Sequence, residues 1–486
     1  MSGPDPPVSP GGLLDVEVEA LDAARFEPLV GSERAARFEA MAEATRERLG
    51  GRAVVSVNST AVGGGVAEML QTLLAYARGA GVDARWLVIE GDPEFFAVTK
   101  RIHNGLYGGP GDGGPLGPEE RAHYERVQAR NAERLLEALP QDAIVLLHDP
   151  QTAGLAPAAR RAGLVVVWRC HVGLDEPNSW SERSWEFLRP HLEHVDGYVF
   201  SRASFAPPWA DPAQTFVIRP SIDPFSAKNE PMSDRNVRLA LGYTGLVEGA
   251  DDPPVVPFTR RDGSRGRITR RADVIQLGPA APVDAPLVLQ ASRWDGMKDM
   301  AGVMEGFAFH VDPALGAHLV LAGPAVTGVA DDPEAAEVYN ECIERWRRLP
   351  HEARSRVHLA CTPMTDPDEA AAIVNALQRH ATVVVQKSLA EGFGLTVAEA
   401  MWKTRPVVAS AVGGIVDQIA HREHGLLLDD PHDLAAFGAA VESLLRDPAE
   451  AARLGRNARE RATRELLGDT HLLHYADLLA KTLARA

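Results

Sequence analysis

Cysteine is scarce in this chain. Only three occur among 486 residues: Cys170, Cys342 and Cys361. Their number is odd and their spacing fits no metal-binding pattern, so neither a disulfide framework nor a metal site is expected. That suits a reducing, cytoplasmic setting. Positive charge is short as well, with a formal net charge of −17. Such a surface repels nucleic acid and anionic membranes, so neither is expected as a partner. No apolar run approaches the length of a membrane span. The opening stretch, MSGPDPPVSPGGLLDVEVEA, lacks the basic start and apolar centre of a signal peptide. The first apolar strand is not followed by a G-x-G-x-x-G fingerprint and a later acid, which argues against an NAD-dependent dehydrogenase.

What is present is a rhythm of short apolar runs between helical stretches. In the first half they lie at Ala53 to Val57, Trp86 to Ile89, Ile144 to Leu147, Val165 to Trp168, Tyr198 to Phe200 and Phe216 to Ile218. In the second half they recur at Leu287 to Gln290, His318 to Ala322, Val357 to Ala360, Thr382 to Gln386, Val407 to Ala409 and Leu426 to Leu428. Continuous apolar strands alternating with helices mean α/β folding, with parallel sheets covered on both faces. Two Rossmann-like domains are expected, one per half. The segment from Asp223 to Asp284 breaks the rhythm with proline, glycine and charge. It reads as a linker plus an insertion, with a hairpin around Asp262-Gly263. The basic run from Arg260 to Arg267 reads as a solvated loop.

Ligands of parallel α/β sheets sit outside the carboxyl ends of strands. Asn58 follows the first strand, and Gly63, Gly64 and Gly65 then open a helix, where glycine lets a backbone approach a ligand closely. His148 and Asp149 follow the third run, and Arg169 and His171 the fourth. Polar groups leaving neighbouring strands should line one site. Arg293 and Lys298 follow the first run of the second half. A planar fork and a point charge can together neutralise a diphosphate. Lys100, His103 and Asn104 share a predicted helix; they are acceptor-side candidates or ordinary surface polar groups.

The densest signal runs from Lys387 to Gln418, KSLAEGFGLTVAEAMWKTRPVVASAVGGIVDQ. A strand leads into Gly392-Phe393-Gly394, a helix opens at Leu395-Thr396, and Pro406 stops it before the next strand. A helix N-terminus at a strand's carboxyl end can hold a phosphate. Glu391 and Glu399 flank the turn. Carboxylates beside a phosphate site suit neutral hydroxylated groups, such as sugars and ribose.

This segment resembles the donor site of retaining glycosyltransferases of the two-Rossmann, glycogen-synthase-like clan. VNSTAVGGGVAEML, WLVIEGDPEFFAVTKRIHNGLYG, HDPQTAG, WRCHVGLDEPN and IRPSIDPFSAKN, followed by EGFGLTVAEAMWK, are similar in order to the trehalose synthase family. Retaining trehalose phosphorylases share much of the pattern. The resemblance implies two facing Rossmann-like domains with an interdomain cleft (the GT-B fold) and a C-terminal helix crossing back to the first domain. It implies an N-terminal extension (1–45), an acceptor domain (46–225, with the helix 469–486), a linker and insertion (226–284) and a donor domain (285–468). It further implies transfer of glucose, with retention, from a nucleoside diphosphate glucose to free glucose, forming α,α-trehalose. Alternatives left open are a phosphorylase using glucose 1-phosphate, another hexosyltransferase and a sugar-nucleotide epimerase.

By the same resemblance Arg293, Lys298 and the amides of Gly394, Leu395 and Thr396 hold the departing diphosphate. Glu391 holds donor hydroxyls, Glu399 the ribose, and Gly64, Gly65, Gly392 and Phe393 complete the donor site. His171 lies near the reacting sugar. Asp149 orients the acceptor, with Asn58, Arg169, Lys100 and Asn104 beside it. No cofactor and no metal are required; partners are the sugar nucleotide and the sugars, and a homodimer is left open. The chain departs from many relatives in its long insertion and in the loop Trp294-Asp295-Gly296-Met297-Lys298, which lacks a second aromatic or proline before the lysine.

Overall fold

The computed structural model describes residues 13–61, 64–249, 255–260, 263–326 and 333–485. It divides into two compact units. The first holds residues 1–221 and 466–486, and the second holds residues 222–465.

The sheet of the first unit contains β1 (Leu14–Asp15), β2 (Val54–Asn58), β3 (Ala84–Val88), β4 (Ile144–His148), β5 (Val165–Cys170), β6 (Gly197–Phe200) and β7 (Thr215–Val217). Their order is β1-β3-β2-β4-β5-β6-β7. All neighbours pair in parallel except β1, which runs antiparallel along the edge of β3. Side chains alternate between the two faces. Val55, Leu147 and Trp168 enter one core. Val54, Ile144, Leu146, Val167 and Val199 enter another, against Tyr475, Leu478 and Leu479 of the helix Gly468–Leu483. Burial on both faces explains the unbroken apolar runs.

Within the stretch 1–45, read from sequence as an extension, the described residues 13–45 carry part of this fold. Leu14 pairs with Val88. The helix Ser32–Leu49 buries Thr45 and Leu49. Its Arg34 donates to both carboxylate oxygens of Asp469, at 2.5 and 2.8 Å.

The sheet of the second unit is built from β10 (Asp273–Ile275), β11 (Leu287–Ala291), β12 (His318–Pro324), β13 (Val357–Thr362), β14 (Val383–Gln386), β15 (Val407–Ser410) and β16 (Leu426–Leu428). Their order is β10-β13-β12-β11-β14-β15-β16. All pairs are parallel except β10 on β13. The twelve strands expected from apolar runs are all present. The edge strands β1 and β10 escaped the sequence reading, being two and three residues long with charged ends.

Residues 226–284 are more structured than a linker. They hold the helix Asp234–Thr244, the hairpin β8 (Val256–Thr259) and β9 (Arg265–Ile268), and β10. The hairpin surrounds the expected turn, though Arg261 and Asp262 lie outside the described residues. Of the basic run, Arg265 and Arg267 are exposed as expected, whereas Arg260 is docked. Arg260 pairs with Asp366 at 2.5 Å, and nearby Arg270 pairs with the buried Glu369. Among the described residues, no helix is long and apolar enough to cross a membrane.

Candidate active site

Each sheet has one place where the chain reverses its direction of growth, between β2 and β4 in the first unit and between β11 and β14 in the second. Beyond the carboxyl ends of such a strand pair, diverging connections leave a crevice. Some of the side chains singled out from the sequence lie near these two places, Asp149 with His171 in the first unit and Lys298 with Glu391 in the second.

In the first unit Asp149 follows β4 with a left-handed backbone, φ 63°. Its Oδ1 accepts the backbone N–H of His171 at 2.8 Å. Its two oxygens lie 3.1 and 3.0 Å from His171 Nδ1. Burial opposes the charged carboxyl, but the His171 ring and these hydrogen bonds outweigh it and hold Asp149 at about 2. Burial pushes the His171 ring below its ordinary value, and Asp149 opposes that shift. With Nδ1–H donated to Asp149, Nε2 of His171 keeps its lone pair, and this buried atom has no partner among the described residues.

His148 stacks on His171, ring centroids 5.4 Å apart. Both of its ring nitrogens are buried without a partner among the described residues. Burial first, and the neighbouring His171 and Arg169 next, push His148 well below the ordinary histidine range. Ser201, just past β6, also presents a buried hydroxyl without a partner among the described residues. A group of neutral rings and a hydroxyl suits a polyhydroxylated, uncharged ligand.

Two expected acceptor residues are otherwise engaged. Asn58 accepts from Trp86 Nε1 and donates to the carbonyl of Thr60, each at 2.8 Å. Arg169 is fully buried. It meets His471 Nε2 at 3.0 Å, the Tyr475 hydroxyl and the Ile218 carbonyl at 3.1 Å. Its guanidinium therefore secures the helix Gly468–Leu483 against β5 instead of projecting from the strand end. His471 in turn meets Ser221 Oγ at 2.8 Å. Lys100 and Asn104 lie half-buried on the helix Pro93–Leu106. Gly64 and Gly65 open the helix Gly64–Gly79, while Val62 and Gly63 lie outside the described residues.

In the second unit β11 leads to Arg293 and Lys298, and β14 leads to Glu391. Lys298 Nζ meets Glu391 Oε2 at 2.6 Å. Ser388 Oγ donates to the same oxygen at 3.2 Å. Arg293 is half-exposed and meets Asp295 at 2.9 Å. The helix Leu395–Trp402 starts from Gly394 at φ 86°, with no side chain among the described residues capping it. Such an end presents unpaired N–H groups and favours an anion. Gly413 packs so closely that a Cβ there would lie 1.6 Å from the Glu391 carbonyl oxygen, and Gln418 donates to the Phe393 carbonyl at 2.5 Å. The turn from Glu391 to Gly394 is thereby fixed from behind. Thr396 Oγ1 donates to Gln386 at 2.8 Å.

Glu399 lies one helical turn past Leu395 and is almost wholly buried. Lys228 meets one carboxylate oxygen at 3.3 Å and Gln378 donates to the other at 3.2 Å. Lys403 Nζ, also buried, meets Asn229 Oδ1 at 2.8 Å and Gln378 Oε1 at 2.7 Å. Burial pushes Lys403 well below the ordinary lysine range, with Glu399 opposing. Among the described residues, no cluster could hold a metal ion.

Sequence reasoning did not reach Lys228, Lys387, Asp299 or His471. Lys387 lay in plain view directly after a strand. His471 had no local signal, since its partner Arg169 is 302 residues away.

Residues 56–207 match the family described as trehalose synthase, N-terminal domain, and residues 280–461 match glycosyl transferases group 1. Trehalose synthase of Pyrococcus horikoshii is 34% identical over 93% of this chain and 95% of its own length. Trehalose synthase of Rubrobacter xylanophilus is 34% identical over 90% of this chain and 92% of its own. Among solved structures, an alpha,alpha-trehalose 6-phosphate synthase from Burkholderia multivorans shares the fold, with a TM-score of 0.63 at 17% identity over 89% of this chain and 99% of that one. The likeness to the two synthases spans nearly the whole of each chain, and by it this protein belongs to the trehalose synthase family, glycosyltransferases built on two Rossmann-like domains.

Proposed function

We propose that the protein is a retaining glucosyltransferase that moves glucose from a nucleoside diphosphate glucose to free glucose, forming α,α-trehalose. The observation that carries this reading is the constellation of the second unit. A lysine–glutamate pair, 2.6 Å apart, stands beside an uncapped helix N-terminus that a glycine turn presents. Lys298, Arg293 and the first amides of that helix offer positive charge to a departing diphosphate. Glu391 accepts hydrogen bonds from donor hydroxyls, and Glu399 from the ribose. The ribose hydroxyls would share Glu399 with Lys228.

The first unit supplies the acceptor side. Asp149 accepts from glucose hydroxyls and orients the sugar. In the reaction the donor C1–O bond to the diphosphate breaks, and a C1–O bond to the acceptor hydroxyl forms on the same face. The acceptor proton passes to the departing diphosphate oxygen. Barrier lowering then comes from orientation and from neutralising the leaving group. A neutral acceptor fits the neutral histidines around Asp149.

Trehalose phosphorylase of Grifola frondosa is 26% identical over 80% of this chain and only 52% of its own length, so phosphorolysis is the rival outcome. Labelled glucose incubated with uridine, adenosine and guanosine diphosphate glucose, and separately with glucose 1-phosphate, decides between them. Trehalose and a free nucleoside diphosphate are the expected products. Trehalose formed from glucose 1-phosphate alone, with release of inorganic phosphate, would overturn the proposal.

A further inference from the structure

Lys387 is the first residue past β14 and its side chain is fully buried. It lies too deep to meet a substrate, yet it is charged. Nζ is ion-paired with Asp299 and donates to the Pro431 carbonyl at 2.5 Å. Its backbone N–H donates to Gln290 Oε1 at 3.0 Å. The other end of that same amide, Gln290 Nε2, donates to the Lys298 carbonyl at 2.7 Å.

Asp299, the residue after Lys298, has a left-handed backbone at φ 46°. A non-glycine residue holds that conformation only when its surroundings over-determine it. Here Asp299 caps the helix Met300–His310 by accepting from Gly302 N at 3.1 Å, and the Lys387 ammonium binds the carboxylate. On the other side of Lys298, Met297 O accepts from Leu389 N at 2.8 Å. The backbone is therefore fixed before, at and after Lys298. Three of these restraints come from Gln290 or from the segment that starts at Lys387: the bonds to the Lys298 carbonyl, the Asp299 carboxylate and the Met297 carbonyl.

A buried ion pair is a weak source of stability, because apolar residues of the same volume often do as well. What a cation does here that a methionine cannot is hold Asp299 in place and so aim its neighbour. We propose that Lys387 is a positioning residue for the donor site: through Asp299 and Gln290 it sets the Lys298 ammonium against Glu391. This rests on the donor-site reading of Lys298 given above.

The test is a double-mutant cycle on glucosyl transfer, with kcat, the KM for the donor and thermal unfolding measured for each protein. Lys387→Met should lower kcat about 30- to 100-fold, the scale of a misplacement near one ångström, with KM changed less than about threefold. Lys387→Arg should recover part of the rate. Added to Lys298→Ala, the Lys387→Met change should cost less than about threefold more, because a residue acting through Lys298 has nothing left to position. If Lys387→Met does not fold, the pair Lys387→Met with Asp299→Asn removes both charges and takes its place in the cycle. Losses that multiply in the combined variant would overturn the inference, as would a wild-type kcat in Lys387→Met. Full activity in Lys298→Ala would overturn the donor-site reading itself, and this inference with it. Slow Lys298→Ala with multiplying losses would overturn the inference alone.

Discussion

Replacing Asp149 by asparagine changes one atom type and leaves the shape intact. Asparagine tolerates the left-handed backbone at φ 63°. The introduced carbonyl still accepts the backbone N–H of His171, which lies 2.8 Å from Oδ1. The introduced amino group, however, faces Nδ1 of the ring, where a carboxylate oxygen stood at 3.0 Å. Two donors cannot share a hydrogen bond, so the ring proton moves to Nε2. That buried, unpartnered atom turns from acceptor to donor. Two charge-assisted hydrogen bonds are lost or weakened, at about 1.5–3 kcal/mol each. Transfer should fall by about 3–4 kcal/mol, or about 10²- to 10³-fold.

The stability cost is smaller. Asp149 is held at about 2 against an ordinary 3.8, so its charge contributes about 2 kcal/mol above pH 3.8, lost as pH falls through about 2. Losing that much at neutral pH lowers Tm by about 4–8 °C for a unit of this size. At 25 °C the variant therefore remains folded while transfer collapses. Labelled-glucose transfer, calorimetric nucleoside diphosphate binding and thermal unfolding should be read together. Nucleoside diphosphate affinity should stay within about threefold. A turnover near wild type, or a nucleotide affinity falling in step with kcat, would refute the assignment of Asp149 and His171 to the acceptor side.

Lys298→Ala and Glu391→Gln should each lower turnover by about 3 kcal/mol with the fold intact, the scale of one preorganised group facing a leaving anion; unimpaired rates in both would end the donor-site reading. Glu399→Gln keeps the bulk of a buried side chain and removes its charge, so the KM for nucleoside diphosphate glucose should rise about 10- to 100-fold while that for glucose changes little. Equal shifts in both constants would count against a ribose contact. Acid should destabilise the protein between about pH 6.5 and 4. Burial, then His318, pushes His358 down to about 4, and burial pushes His148 and His471 well below 6.5. The unfolded chain takes up protons in that window that the folded chain refuses, so stability falls with pH, by about 3 kcal/mol for His358 alone. Urea unfolding that gives the same stability at pH 7.5 and 4.5 would contradict this.

The apolar strands were legible because burial on both faces writes an unbroken run into the sequence. The turn from Glu391 to Gly394 was legible because its glycines, acids and following helix are contiguous. β10 was not, since Asp273-Val274-Ile275 owes its conformation to pairing with β13 over eighty residues on. The cluster of the first unit was read only in part for the same reason. Strand-end position predicts which side chains gather, as with Asp149 and His171. It does not predict which way a long one turns. Arg169 turns towards the helix Gly468–Leu483 because His471, Tyr475 and the Ile218 carbonyl await it there, and Asn58 serves Trp86 and Thr60.

The return of residues 466–486 to the first unit has a consequence for synthesis on the ribosome. Arg169 leaves the ribosome 302 residues ahead of His471. At about 5–20 residues per second, that interval is about 15–60 s. Throughout it the first unit lacks the apolar cover of Tyr475 and Leu478 and the partners of a cation destined for full burial. The second unit, continuous in sequence, emerges whole within the same interval. The order of completion therefore runs opposite to the order of emergence: the later unit closes first, and the earlier one waits, open and in need of protection, for residues 466–486.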